Sequence, residues 1–251
     1  MTMSEDLEPV FTKRDRSDKI GIMKKENRKS YPSDLTDSQW KEIEALYTGM
    51  RKCKWNKREL TNAVLYLVDT GCKWRQLPHD FPPYSTVHSF YQRARINGLW
   101  NKILKYVVKK TRINAGRKES PSYAIIDSQS VKTTLASEER GIDGGKKTRG
   151  RKRHIVVDVL GCMLSVDVHA ANIHDTKSGI YTAKEAYMSY PTIQKFCADA
   201  GYRGTFVSDL KEKLALGVDI SEKIKPHQWE KLPWRWVVER TFSWLNFQKT
   251  L

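Results

Sequence analysis

Three acidic residues stand where the surrounding sequence can put them to chemical use. Asp127 follows Tyr123, Ala124, Ile125 and Ile126, a run with the length and composition of a buried strand, and is expected where that strand leaves the core. Asp199 follows a second short run, Lys195 to Ala198, and precedes Gly201 and Tyr202. Ligand sites in α/β sheets gather beyond the carboxyl ends of strands, so acids at both places have a route to chemistry. Glu239 lies in WRWVVERTFSWLNF, one position round from a helical stripe of Val238, Phe242 and Leu245, with Arg235 one turn earlier. Each acid has an ordinary reading of its own. Asp127 can start a turn with Ser128, and Arg235 with Glu239 can be an i, i+4 pair on a solvated helix. Together, in a basic chain, they are the residue types that phosphodiester chemistry requires. Two divalent cations about 4 Å apart can clamp the attacking and leaving oxygens of an in-line displacement. Two such ions carry +4 while three carboxylates and a phosphate supply roughly −4, so the assembled site is near neutral and the bare one self-repelling. Oxygen-only ligation favours Mg2+ or Mn2+ over zinc.

The composition fits a polyanionic partner. Lys and Arg number 45 against 29 Asp and Glu among 251 residues, a formal charge of +16 with a sequence pI near 9.6. That excess attracts DNA or RNA first of all. The chain has no apolar run long enough to span a membrane, and MTMSEDLEPVF lacks the apolar centre of a signal peptide, so no membrane partner is expected. Cys53, Cys72, Cys162 and Cys197 are far apart with no CxxC pair, which fits a reducing cytoplasm.

The elements that must position the acids follow in order. Residues 1–30 are polar and dense in mixed charge and read as a disordered or loosely attached extension. From 31 to 113 the pattern is helical. Thr36 and Gln39 have capping-box spacing ahead of Trp40, Ile43 and Tyr47; Leu60 to Val68 form a second helix closed by Gly71. WRQLPHDFPPYS is a rigid connector, Ser85 is placed to cap a third helix, and Gly98 separates it from a fourth. This segment fits both a helix-turn-helix module that docks on DNA and a plain bundle with a basic rim. Residues 114–122, NAGRKESPS, read as a linker, and 123–251 as an α/β domain. There the strand before Asp127 is followed by a hairpin of His154–Leu160 and Met163–Ala170, a helix over 176–188, the strand before Asp199, a helix over 206–216, a brief strand at 218–220 and the helix of Glu239.

The segments YPSDLTDSQW, TGCKWRQLPHDFPPYSTV, AIIDSQSVKTT, GGKKTRGRKRHIVVD, HAANIHD, ADAGYRG and RWVVERTFSWLN, in that order, resemble transposases of the insertion-sequence-five family, bacterial enzymes with an Asp-Asp-Glu (DDE) triad in a ribonuclease H-like fold. The resemblance implies a mixed sheet flanked by helices behind a small helical, helix-turn-helix-like domain. It implies Asp127, Asp199 and Glu239 as catalytic and metal-binding residues with two Mg2+ or Mn2+ ions. It also implies cleavage at the terminal inverted repeats, joining of the 3′ hydroxyl to target DNA, a homodimer or higher assembly on double-stranded DNA, and a cytoplasmic, nucleoid-associated place in a bacterium. Arg235 matches the arginine of the family's Tyr-Arg-Glu-Lys signature and by that match is expected to hold a DNA phosphate, whereas Leu232 and Asn246 stand where its tyrosine and distal basic residue would fall, with Lys249 near enough to substitute for the latter. Arg240, Lys132, and Lys146, Lys147, Arg149, Arg151, Lys152 and Arg153 of the basic loop GGKKTRGRKRH are expected on DNA phosphates, a sequence-blind and salt-dependent contribution. His174 and Asp175 suggest a helix cap, or else a further metal ligand. Family members continue beyond the helix of Glu239, so the alternative reading is an inactive, truncated DNA-binding remnant.

Overall fold

Thr36 starts the first helix as the sequence predicts: its hydroxyl accepts from the Gln39 amide while the Gln39 side chain accepts from the Thr36 amide, and α1 spans Asp37–Ile43. The structure is a computed structural model that describes residues 28–133, 139–221 and 234–247; all of the expected N-terminal extension except Arg28, Lys29 and Ser30 lies outside them, as do Leu232 and Lys249. Helix α2 (Lys57–Thr70) is capped by Asn56 and ends at Gly71, whose φ of 68° is the left-handed conformation that glycine adopts without strain. Helix α3 (Tyr84–Ile96) begins directly after Pro83 and has no side-chain cap, so Ser85 lies inside it. Asn97 and Gly98 join it to α4 (Leu99–Asn114). Leu60, Val64, Phe81, Val87 and Phe90 centre the helical core. Helix α4 belongs to two cores, giving Leu99 to the helical one and Val108 to that of the sheet.

The sheet is built from β1 (Tyr123–Lys132), β2 (Gly141–Asp143), β3 (Thr148–Asp158), β4 (Met163–Ala170), β5 (Lys195–Asp199) and β6 (Gly217–Ser221). Strand β3 lies antiparallel to β1, β2 and β4, while β5 runs parallel to both β1 and β6. Apart from the short β2, three antiparallel strands followed by two parallel to the first, interleaved with α5 (Asp175–Ser189), α6 (Thr205–Leu214) and α7 (Arg235–Phe247), make the ribonuclease H-like arrangement.

Two expectations for the sheet change. Strand β1 continues to Lys132 instead of ending at Asp127, because β3 pairs with it along its whole length from Ala124↔Asp158 to Lys132↔Gly150. For the same reason the second half of the basic loop is strand: from Thr148 onward its backbone is held between neighbouring strands, and only residues 144–147 form the turn. Gly150 permits this closeness, since a Cβ there would lie 2.0 Å from the Val131 carbonyl oxygen.

Side-chain alternation on β1 gives the sheet two different faces. Ala124 and Ile126 join Val156, Phe196 and Ala198 under α5 and α6. Ile125 joins Ile155, Val157 and Cys197 under Val237, Val238 and Phe242 of α7. Burying these three α7 side chains contributes about 1.5–3 kcal/mol each, enough to seat the helix that carries Glu239.

Candidate active site

Strand register brings the first two acids together. The parallel pairing of β1 with β5 ends at Ile125↔Cys197, and Asp127 and Asp199 each lie two residues beyond, so both carboxylates emerge on the α7 face at the carboxyl ends of adjacent strands. Asp199 also caps a short 3-10 turn, its Oδ1 accepting from the Gly201 amide at 2.9 Å. Helix α7 lies on the same face, and Arg235 ties the third acid to the second: its Nη2 is 3.8 Å from Asp199 Oδ2 and its Nε 3.3 Å from Glu239 Oε1. Both contacts are ion pairs, and Arg235 Nε makes no hydrogen bond.

Burial pushes the Asp127 carboxyl up to about 6; the Ser128 amide, which donates to it at 2.7 Å, opposes the rise, and the nearby Asp199 charge reinforces it. Such a carboxylate is short of positive charge. Three carboxylates are hard oxygen donors, so in kind the set fits a divalent cation such as Mg2+ or Mn2+. Among the described residues no three acid, histidine or cysteine side chains are gathered closely enough to hold an ion unaided. The positive charge shared by Asp199 and Glu239 here is the Arg235 guanidinium.

Two family models match the chain. One, described as "Putative transposase of IS4/5 family", covers residues 35–104, and the other, described as "Transposase DDE domain", covers residues 118–248. The chain belongs to the transposase DDE-domain family. Its two matched segments coincide with the helical part and the sheet, and DDE domains of this kind are nuclease and transposase enzymes that generally use divalent metal ions. Among solved structures the chain is similar to a piggyBac transposase in a synaptic complex with hairpin DNA, at 10% identity and a TM-score of 0.38, over 75% of this chain and 48% of that one. The chain thus spans about half the length of that protein. No curated protein matches it. No helix among the described residues is long and apolar enough to cross a membrane.

The basic residues of the DDE domain divide by what they already touch. Lys132, Lys147 and Arg149 are exposed. Lys146 donates to the carbonyl of Ser128, the residue after Asp127, at 3.0 Å. Arg151 faces Glu139 at 3.7 Å. Arg153, 5% exposed, lies on the Asp127 face and donates to Gln129 and, at 2.6 Å, to Asn246. The structure therefore sets an arginine from β3 against the position where the family signature's distal basic residue falls. Lys152 is 5% exposed and points to the opposite face, where it donates to Asp175 Oδ1 at 2.8 Å and the Ile173 carbonyl at 3.0 Å and lies 3.5 Å from Asp143. Arg240 is enclosed by α7's own tryptophans and the turn after β3.

The sequence reading did not foresee the polar network behind β1. His174 does cap α5, accepting from the Thr176 amide at 3.3 Å. Asp175 meets Lys152, and its Oδ1 lies 3.7 Å from His154 Nε2. His169 Nδ1 donates to the Ala170 carbonyl, so its Nε2 accepts from His154 Nδ1 at 2.8 Å and His154 Nε2 is left with a bare lone pair. Burial holds His154 neutral, its pKa drawn down to about 3. The signal in the sequence was His154 and His169 at inward positions of a hairpin, but their pairing depends on register.

Proposed function

We propose that this chain is a DNA transposase that cleaves the ends of an insertion sequence and joins the freed 3′ hydroxyl to target DNA, with Asp127, Asp199 and Glu239 as its catalytic, metal-holding residues. The observation that supports this reading best is the register Ile125↔Cys197, which aligns Asp127 with Asp199 beneath the helix of Glu239. Asp127 and Asp199, at adjacent strand ends, and Glu239, across from them on α7, would hold two Mg2+ or Mn2+ ions. Bound there, the ions would lower the pKa of the attacking water, then of the attacking hydroxyl, and offset the charge on the leaving oxygen.

The chain's own residues supply the rest. Arg235 exchanges its acidic partners for a DNA phosphate when the acids take up cation, which delivers a positive charge to the scissile strand. Arg153, packed against Gln129 and Asn246, holds the sheet side of the same face. Lys132, Lys147 and Arg149, with Lys146 and Arg151 when they release their partners, track the phosphate backbone without reading bases. Lys152 supports the fold behind the site. Synapsis of two element ends calls for at least two copies of the chain.

The test is strand cleavage and joining on a labelled duplex carrying the element's end, with Mg2+ or Mn2+. Cation-dependent cleavage that is lost in Asp199→Asn, together with joined product, supports the proposal. Cleavage without joining would reduce it to a nuclease, and binding without cleavage in the presence of either ion would overturn the catalytic reading.

A further inference from the structure

The turn between β3 and β4 is gripped from two sides. Asp158, fully buried, accepts from the amides of Leu160 and Cys162 at 2.9 and 2.8 Å through Oδ1, and its other oxygen receives Arg112 from the end of α4. Arg112 also donates to the carbonyl of Lys118 at 2.9 Å, so a single guanidinium fastens the helical part, the linker and the turn. On the other side, Arg240 Nη2 donates to the Leu160 carbonyl at 2.9 Å, and the Thr241 hydroxyl is shared between the Gly161 carbonyl at 3.3 Å and the Val237 carbonyl of its own helix at 3.1 Å. Gly161 has a φ of 86°, a conformation strained for any other residue, and a Cβ on it would crowd Arg240 Nη2 at 3.0 Å and Thr241 Oγ1 at 3.2 Å. The Arg240 guanidinium is clamped between the rings of Trp236 and Trp244, 4.8 and 4.7 Å from their centroids. A cation held on both faces and hydrogen-bonded at its edge is spent on structure.

We infer that Arg240 and Thr241 are positioning residues: through the Asp158–Gly161 turn they fix α7, and therefore Glu239, relative to α4 and the helical part. The inference rests on the proposed catalytic role of Glu239 and departs from the expectation that Arg240 contacts DNA. The turn forms a continuous physical link, from Arg112 through Asp158 and the turn carbonyls to the residue after Glu239, by which docking of the helical part sets the third carboxylate in place.

Arg240→Lys in the full chain tests it, because lysine keeps the charge a phosphate needs but loses the planar fork and the two-faced stacking. Four readouts are compared with wild type: affinity for the end duplex with its salt dependence, single-turnover cleavage at saturating duplex, Mn2+ binding followed by electron paramagnetic resonance, and hydrogen exchange of the α7 amides. Positioning predicts unchanged duplex affinity and salt slope, cleavage slower by about 10- to 100-fold, a Mn2+ midpoint raised several-fold and faster exchange confined to α7. Thr241→Val, which removes the hydroxyl's contacts with the Gly161 and Val237 carbonyls and keeps the side chain's shape, gives a smaller effect in the same direction and carries the test if Arg240→Lys fails to fold. Wild-type cleavage, Mn2+ midpoint and α7 exchange in Arg240→Lys would overturn the inference and leave Arg240 to DNA, where the retained charge is enough. If the wild type neither cleaves nor binds Mn2+, the proposed function fails; the seat of α7 is then judged by exchange, where rates equal to wild type overturn it and faster rates support it.

Discussion

Asp127 and Asp143 lie on neighbouring parts of one sheet and have opposite charge environments. Desolvation works against ionisation at both. At Asp143 it is overcome by the Ser130 hydroxyl at 2.5 Å, the Lys146 amide at 3.1 Å and the charge of Lys152, and the carboxyl is held down at about 2. At Asp127 the Ser128 amide does not offset burial and the Asp199 charge adds to it, and the carboxyl rises to about 6. The network around Lys152 on the α5 face balances its own charges and so has the character of structure. On the α7 face Arg235 is shared by Asp199 and Glu239 while Asp127 is buried without a hydrogen-bonded cation, and such a deficit is what a cation-loaded site leaves when only the protein is counted.

The largest effect separates the two faces by chemistry. Asp127→Asn and Asp199→Asn lower strand cleavage by about 10³-fold or more while leaving duplex binding near wild type, measured on the labelled end duplex. Asp143→Asn, on a balanced carboxylate, leaves cleavage within about tenfold, and a loss as deep as that of Asp199→Asn would erase the distinction.

Stability inverts the ranking. Lys152→Ala leaves Asp175 and Asp143 without their buried cation and costs about 3 kcal/mol in denaturant unfolding. Asp127→Asn is expected to stabilise, by on the order of 1–3 kcal/mol at pH 7.5 without added cation. The folded pKa of Asp127 lies above its unfolded value near 3.8, so the folded state holds the proton more tightly and the wild type loses stability as pH rises from about 4 to 6. The advantage of Asp127→Asn therefore disappears at pH 4, and an advantage independent of pH would mean that charge is not its cause. Asp143 has the opposite sign: its contribution is complete above about pH 4 and is lost toward pH 2.

The smallest effect concerns the rim. Lys147→Ala and Arg149→Ala each weaken duplex binding modestly and flatten the plot of log affinity against log salt by about one unit, whereas buried Lys152 changes that slope little if its fold is kept.

Local pattern made much of this molecule legible. The capping box at Thr36, the closing Gly71, the stripe on α7 and the short apolar strands before Asp127 and Asp199 are all statements about neighbours in sequence, and they stand. What the sequence hid depends on pairing between distant segments. Nothing in Ser128–Lys132 or Thr148–Arg153 alternates as an ordinary amphipathic strand, since basic side chains alternate between a buried network and the Asp127 face, so the length of β1 and the strand within the basic loop became visible only through register. The different fates of Lys152 and Arg153, adjacent and alike in type, follow from the same alternation. The Arg235–Glu239 pair is written in its i, i+4 spacing; the contact of Arg235 with Asp199 is not, because it joins α7 to the end of β5.

The most direct measurement of the central claim is the titration of the Asp127 carboxyl by carbon-13 NMR on aspartate-labelled protein, with and without Mg2+. The account predicts a midpoint near 6 in the absence of divalent cation and a clear downward shift when Mg2+ is added, with no such response at Asp143. A midpoint near 4 that ignores Mg2+ would contradict it, and would make the α7 face as self-sufficient as the one behind it.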